Sequence, residues 1–247
     1  MVYKMKNIYK VELLKLKHSK ILGIVMFLPL FFVILGFANF LRYRDLFTSK
    51  GQNIWQQVYT QSSMFYGLFL MALFITILVA VLVRIENSGD NFKRILALPV
   101  KRSDIYISKL FIGCGMVLLN LFVFTLLIIA AGIVAAPHNE SMPREIIYSP
   151  LLCFIASLPV IAIQYYLTMK FENIAVPLGV GVVFSLPSVL INNTRYWILF
   201  PWAYPGRALL NGSNLNFPFS NYMYILSVSV FVIFIIVGVY EFNKKDI

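Results

Sequence analysis

The sequence predicts an all-α membrane protein of six transmembrane helices, preceded by an amphipathic interfacial helix and carrying a short cytoplasmic helix between spans two and three. Three observations predict it. Of 247 residues, 60% are hydrophobic and only 13% charged, about half the charge of an ordinary soluble domain, and mean hydropathy is +0.81. The apolar residues gather in charge-free runs close to the roughly 20 residues that cross a bilayer. Lys and Arg outnumber Asp and Glu by 21 to 10, and the excess falls in alternate connections. A soluble fold of this size cannot hide so much apolar surface from water. The composition therefore excludes a disordered chain, a nucleic-acid-binding domain and a soluble enzyme.

Residues 1–20 form the interfacial helix. Val2, Met5, Tyr9, Leu13 and Leu16 recur in three- and four-residue steps, flanked by Lys4, Lys6, Lys10, Lys15 and Lys17. That is a basic amphipathic helix lying along the inner leaflet, the alternative being a solvated basic tail. The first apolar run starts only at Ile21 and has no small-residue cleavage pattern behind it, so it reads as a span rather than a cleavable signal.

The remaining residues, 21–247, form one transmembrane domain. Its spans run over about 21–41, 62–83, 110–136, 150–169, 174–191 and 221–240, and none holds an Asp, Glu, Lys or Arg. Orientation follows from the loops, because Lys and Arg are retained in the cytoplasm. With both termini inside, the cytoplasmic segments hold fifteen of the 21 basic residues and the outer loops six. Both termini are thus expected in the cytoplasm of a cell whose plasma membrane holds the chain. The charge needs no nucleic-acid partner.

The spans also lack coupling chemistry. All ten acidic residues lie outside them, and the two histidines, His18 and His138, have no carboxylate or thiol partner at useful spacing. Ion-coupled carriers place ionisable groups within the bilayer, so this is neither such a carrier nor an enzyme. Cys114 and Cys153 lie in apolar runs and read as small core residues, with no catalytic, cofactor or metal site around them. Asn39, Thr76, Asn120, Thr125 and Gln164 are expected to hydrogen-bond across helices. Pro159, Pro177 and Pro187 are candidate kinks. The connection 192–220, rich in Tyr196, Trp197, Trp202, Tyr204 and Phe217, suits the headgroup layer. There is no GxxxxGK[ST] loop, so the chain does not bind ATP by that route. Its energy source must be a partner.

The docking candidate is residues 84–109. Asn87, Ser88 or Asp90 caps a short helix through Phe92, Ile95, Leu96 and Leu98 that Pro99 stops. Ser103 opens a second helix that runs on into the third span. The short helix bears an apolar knob flanked by Lys93, Arg94, Lys101 and Arg102, a shape that fits a groove in a soluble partner. A plain positive-inside connector has no need of that knob.

This order of elements, with the stretch E-N-x-x-x-x-F-K-R-I-L-A-L-P-V-K-R-x-x-I-Y-x-S-K over Glu86–Lys109, resembles permease subunits of type-2 ABC exporters. Within them the chain is most similar to the permeases of lantibiotic-immunity and peptide-toxin export. The resemblance covers the whole chain in topology and is specific at Glu86, Leu98, Pro99 and Lys109. It implies that residues 1–20 are an elbow helix and residues 84–109 a coupling loop. It also implies two permease chains, identical or related, on a dimer of cytosolic ABC ATPase subunits. ATP and Mg²⁺ belong to that partner, and this chain holds no cofactor. Phe92, Leu96 and Leu98 are then the hydrophobic key, Glu86 and Arg94 its polar anchors, with Pro99, Lys93, Lys101, Arg102, Lys170 and Glu172 completing the docking face. The expected cargo is an amphipathic peptide. The alternatives are a permease for a drug, lipid-linked glycan or haem, and a non-transporting scaffold, which would need no ATPase.

Overall fold

A computed structural model describes residues 19–49, 51–68, 70–87, 101–213 and 220–244. Among them all regular structure is helical: α1 Ile21–Arg42, α2 Arg44–Thr48, α3 Ile54–Gly67, α4 Leu70–Asn87, α5 Arg102–Ala135, α6 Glu145–Lys170, α7 Ala175–Ser185, α8 Ser188–Ile191, α9 Tyr204–Leu210 and α10 Tyr222–Lys244, with 3₁₀ turns at Arg195–Leu199 and Pro201–Ala203. Residues 1–18, expected to form the interfacial helix, lie outside the described residues.

Four of these helices, α1, α5, α6 and α10, are long and apolar enough to cross a membrane, and a fifth crossing arises if α3 and α4 count as one span bent by 51°. The chain is therefore a multi-pass membrane protein. The segment expected as the fifth span, 174–191, is divided: α7 ends at Ser185, and Pro187, which has no amide hydrogen to continue a ladder, precedes α8. Pro159, by contrast, lies inside α6 without ending it.

Helix α6 is the centre of the bundle, packing against α4, α5, α9 and α10. Its best apolar window is more than half buried, whereas those of α1 and α10 are mostly exposed, as lipid-facing helices must be. The buried face of α1 is one ridge, Ile21, Val25, Pro29, Val33, Gly36 and Phe40, spaced by three and four residues and laid against α3 and α5.

Helix α3 is unlike the others. Gln57, Thr60, Gln61, Ser62 and Ser63 are all buried in it, wrapped by α1, α5 and α9. Burying such groups requires partners. Asn39 of α1 donates to Gln61 Oε1 at 2.8 Å. Tyr66 donates to Asn120 Oδ1 of α5, and Asn120 donates onward to the carbonyl of Val25 at 2.8 Å. Three polar groups expected to bond across helices do so: Asn39, Asn120 and Gln164, which donates to the Pro177 carbonyl. Thr76 and Thr125 do not. Each donates to the carbonyl four residues back in its own helix, the local alternative open to a hydroxyl.

The start of α3 is pinned from the α5–α6 connection. Glu140 accepts from the amide of Ile54 at 2.8 Å, and Asn53 accepts from Gln56 while donating to the carbonyl of Ser141 at 3.1 Å. A carboxylate and an amide thus occupy the positive end of a helix whose first amides have no intrahelical acceptor.

Candidate functional site

Two regions of the bundle carry chemistry, one at each end. At 1.5 Å per residue the 34 residues of α5 span about 50 Å, well beyond a hydrocarbon core of roughly 30 Å. Its three charged residues, Arg102, Asp104 and Lys109, all lie in the first two turns, at the end that follows the connection from α4.

Only some of the expected docking residues fall among the described residues at this end. Glu86 lies in the last turn of α4. Phe92, Lys93, Arg94, Leu96, Leu98 and Pro99 lie outside the described residues. Lys101 precedes the first residue of α5 and is exposed, while Arg102 opens the helix and is half-buried. Helix α5 therefore starts at Arg102 rather than at a Ser103 cap. The motif residues that follow are core: Tyr106, Ser108 and Lys109 are 1%, 1% and 2% exposed. Tyr165 of α6 donates to the Tyr106 carbonyl at 3.0 Å, and the Tyr106 ring packs against those of Tyr165 and Phe242. The second half of the motif thus seats the projecting lever on α6 and α10.

Lys170 and Glu172, expected to help seat a partner, are exposed at this same end. Lys170 meets Glu241 of α10 at 3.3 Å, with side chains 46% and 43% exposed, and the Tyr166 hydroxyl bonds both of them. An ion pair so open to solvent adds little stability. It leaves charge on the surface.

At the opposite end, the described part of the aromatic connection expected over 192–220, residues 192–213, packs into the bundle. Trp197, Trp202 and Tyr204 are buried, although Tyr196 remains exposed, and all seven residues of α9 are buried against α3, α4 and α6. The segment forms a plug. Tyr59 of α3 donates to the Leu209 carbonyl at 2.6 Å, Cys153 of α6 to the Pro205 carbonyl at 3.2 Å, and Ser188 to the Leu68 carbonyl in the α3–α4 break at 3.2 Å. A Cβ on Gly206 would stand 2.5 Å from the Gly67 carbonyl oxygen, so glycine is required for this approach.

Arg207, counted from sequence as an outer-loop charge, is only 3% exposed. Its Nε donates to Asn192 Oδ1 at 3.2 Å and its Nη2 to the Asn192 carbonyl, while the guanidinium lies 4.0 Å from the centre of the Trp197 ring. Burial pushes its pKa down, yet a guanidinium stays protonated at neutral pH. A buried cation in a membrane bundle is a functional candidate by default. The signal was present as an arginine inside the otherwise uncharged run Tyr204–Leu210.

Comparison with known proteins places this architecture. Residues 8–188 match the family described as ABC-2 family transporter protein. The bacitracin transport permease protein BCRB of Bacillus licheniformis is 25% identical over 125 residues, 48% of this chain and 58% of that protein. The match thus spans little more than half the length of that relative.

Proposed function

This chain belongs to the ABC-2 family of transporter permeases, and from that premise we propose that it is the permease subunit of an ATP-driven exporter of amphipathic peptides. As a member of the family it is a membrane transport subunit and not an enzyme. The cargo class is supported by the likeness to a bacitracin transport permease and by the chain's resemblance to peptide-export permeases.

The observation that carries the mechanism is the continuity of α5 from Arg102 to Ala135. A motor on the connector moves a lever only if the lever is stiff and joined to what must rearrange. Helix α5 meets both conditions. Its start is seated on Tyr165 and Phe242, and its middle reaches α1 and α3 through Asn120. Helix α3 in turn holds the plug through Tyr59.

In this reading the connector of each of two permease chains rests on an ATPase subunit in the cytoplasm, where the basic loops place both termini. Six crossings are completed by the α3–α4 pair and by α7 with α8. Closure of the motor tilts α5, and α3 withdraws from α9 to open a path outward.

The test is purification from native membranes in mild detergent together with a protection assay. A stoichiometric P-loop ATPase in the complex, and raised resistance to bacitracin or cationic amphipathic peptides on expression, are the expected results. A chain that recovers no ATPase even after crosslinking overturns the reading. Protection against unrelated drugs alone overturns the peptide assignment.

A further inference from the structure

At the connector end, α5, α6 and α10 do not close fully on one another. They enclose an open cavity of about 300 Å³. Its floor is apolar and aromatic, formed by the buried Tyr106, Met169 and Phe242. Its rim is ionic, formed by Lys170, Glu241 and Lys244. Gly238 belongs to the wall, and any Cβ there would overlap the Tyr106 hydroxyl.

The three rim charges do not cancel. Glu241 is engaged by Lys170 and by the Tyr166 hydroxyl at 2.9 Å, while Lys244 lies 4.1 Å from the centre of the Tyr240 ring. Among the described rim residues two lysines face one carboxylate, an excess of one positive charge that suits an occupant with one negative charge. The rim occupies the last turns of α6 and α10, the level at which Lys and Tyr side chains meet headgroups. Away from the rim, α10 turns Ile233, Ile236, Val237 and Tyr240 outward, all exposed. A free anion matches the rim alone. An anion carrying hydrocarbon chains matches the rim and this apolar stripe together.

We propose that the cavity holds the phosphodiester headgroup of an anionic phospholipid from the leaflet at the connector end. Lys170 and Lys244 contact the phosphate, Tyr106 and Phe242 lie under the glycerol, and the acyl chains run along α10. The lipid joins α6 to α10 beside the base of α5, so its presence stabilises the seat of the lever. The site does not depend on the cargo or on the motor. The orientation proposed above decides only that the leaflet is the cytoplasmic one.

The experiment is native mass spectrometry of the full chain released from nanodiscs of mixed phosphatidylglycerol and phosphatidylcholine, with thermal midpoints measured alongside. The expected result is one phosphatidylglycerol retained at energies that strip phosphatidylcholine. Removing each charge-assisted contact should weaken retention by about tenfold, so Lys170→Gln with Lys244→Gln should abolish the preference while the midpoint in lipid-free detergent is kept. Gly238→Ala, which fills the wall without altering charge, should also lose the bound lipid. Equal retention of both lipids, or full retention by the double variant, overturns the site. A midpoint raised as far by inorganic phosphate or glycerol phosphate as by phosphatidylglycerol assigns the rim to a free anion and overturns the lipid. A double variant that keeps its lipid and instead loses a soluble protein subunit assigns the rim to protein docking, and the proposal fails.

Discussion

Gly206 of α9 and Gly67 at the end of α3 meet backbone to backbone, the carbonyl oxygen of Gly67 standing 2.5 Å from where a Cβ on Gly206 would be. This contact seats the buried plug in the break between α3 and α4. Any side chain on Gly206 must push α9 away from Leu68, whose carbonyl also accepts from Ser188. Gly206→Ala is expected to cost about 1–3 kcal/mol, the range for forced overpacking, and Gly206→Val more. A lowered thermal midpoint in detergent checks it. Unchanged stability in both variants would mean that α9 is not held in the break.

Arg207 makes a second prediction about the same plug. Its planar guanidinium reaches the Asn192 side chain and carbonyl at once and lies on the Trp197 ring. A lysine offers a point charge in place of that fork. Arg207→Lys is therefore expected to fall short of rescue, and Arg207→Met to leave buried acceptors on Asn192 without their donor, at about 1–3 kcal/mol. Limited proteolysis from the plug end should cut residues 192–213 faster in both variants, with membrane insertion unchanged.

What the sequence made legible follows from what hydropathy measures. Helices α1 and α10 are exposed along much of their length, and the apolar runs of α1, α5, α6 and α10 are long and free of charge, so all four stand out. Helix α3 faces protein. Its Gln57 and Gln61 are buried but read as loop, so the second span is expected to begin at Ser62 where the helix begins at Ile54. The packing of the aromatic segment is not legible, since Trp197 and Trp202 read alike whether they meet headgroups or, as here, are buried against neighbouring helices. Lys109 shows how phase corrects a charge count. It was counted as a loop cation, yet Tyr106, Lys109, Gly113, Met116 and Asn120 fall on one buried ridge of α5, spaced as α-helical neighbours are. The docking residues from Phe92 to Pro99 rest on the family resemblance.

A third prediction concerns the capped start of α3. Glu140 accepts from the Ile54 amide, and a neutral amide oxygen at the same place can do likewise. Glu140→Gln is expected to retain most of the cap, and Glu140→Ala to lose about 1 kcal/mol, the usual effect of removing an N-cap acceptor. Thermal midpoints of the two variants should separate in that order. Equal losses would show that the carboxylate charge, and not the hydrogen bond, stabilises the helix end.

The last prediction separates the connector from the surface around it. If Phe92 and Leu98 enter a groove on the ATPase, an aspartate at either position desolvates a charge there, while the lever is seated farther on by Tyr106 and Tyr165. Phe92→Asp and Leu98→Asp should each abolish permease-stimulated ATP hydrolysis and release the motor during purification, with normal insertion and an unchanged thermal midpoint. Glu172→Gln is the comparison, because Glu172 is exposed on the α6–α7 turn and lies outside the cavity assigned to lipid. Stimulation should survive that change at close to the parent rate. If Glu172→Gln uncouples the motor while Leu98→Asp does not, the docking face lies on the α6–α7 turn and the connector is only a link between spans.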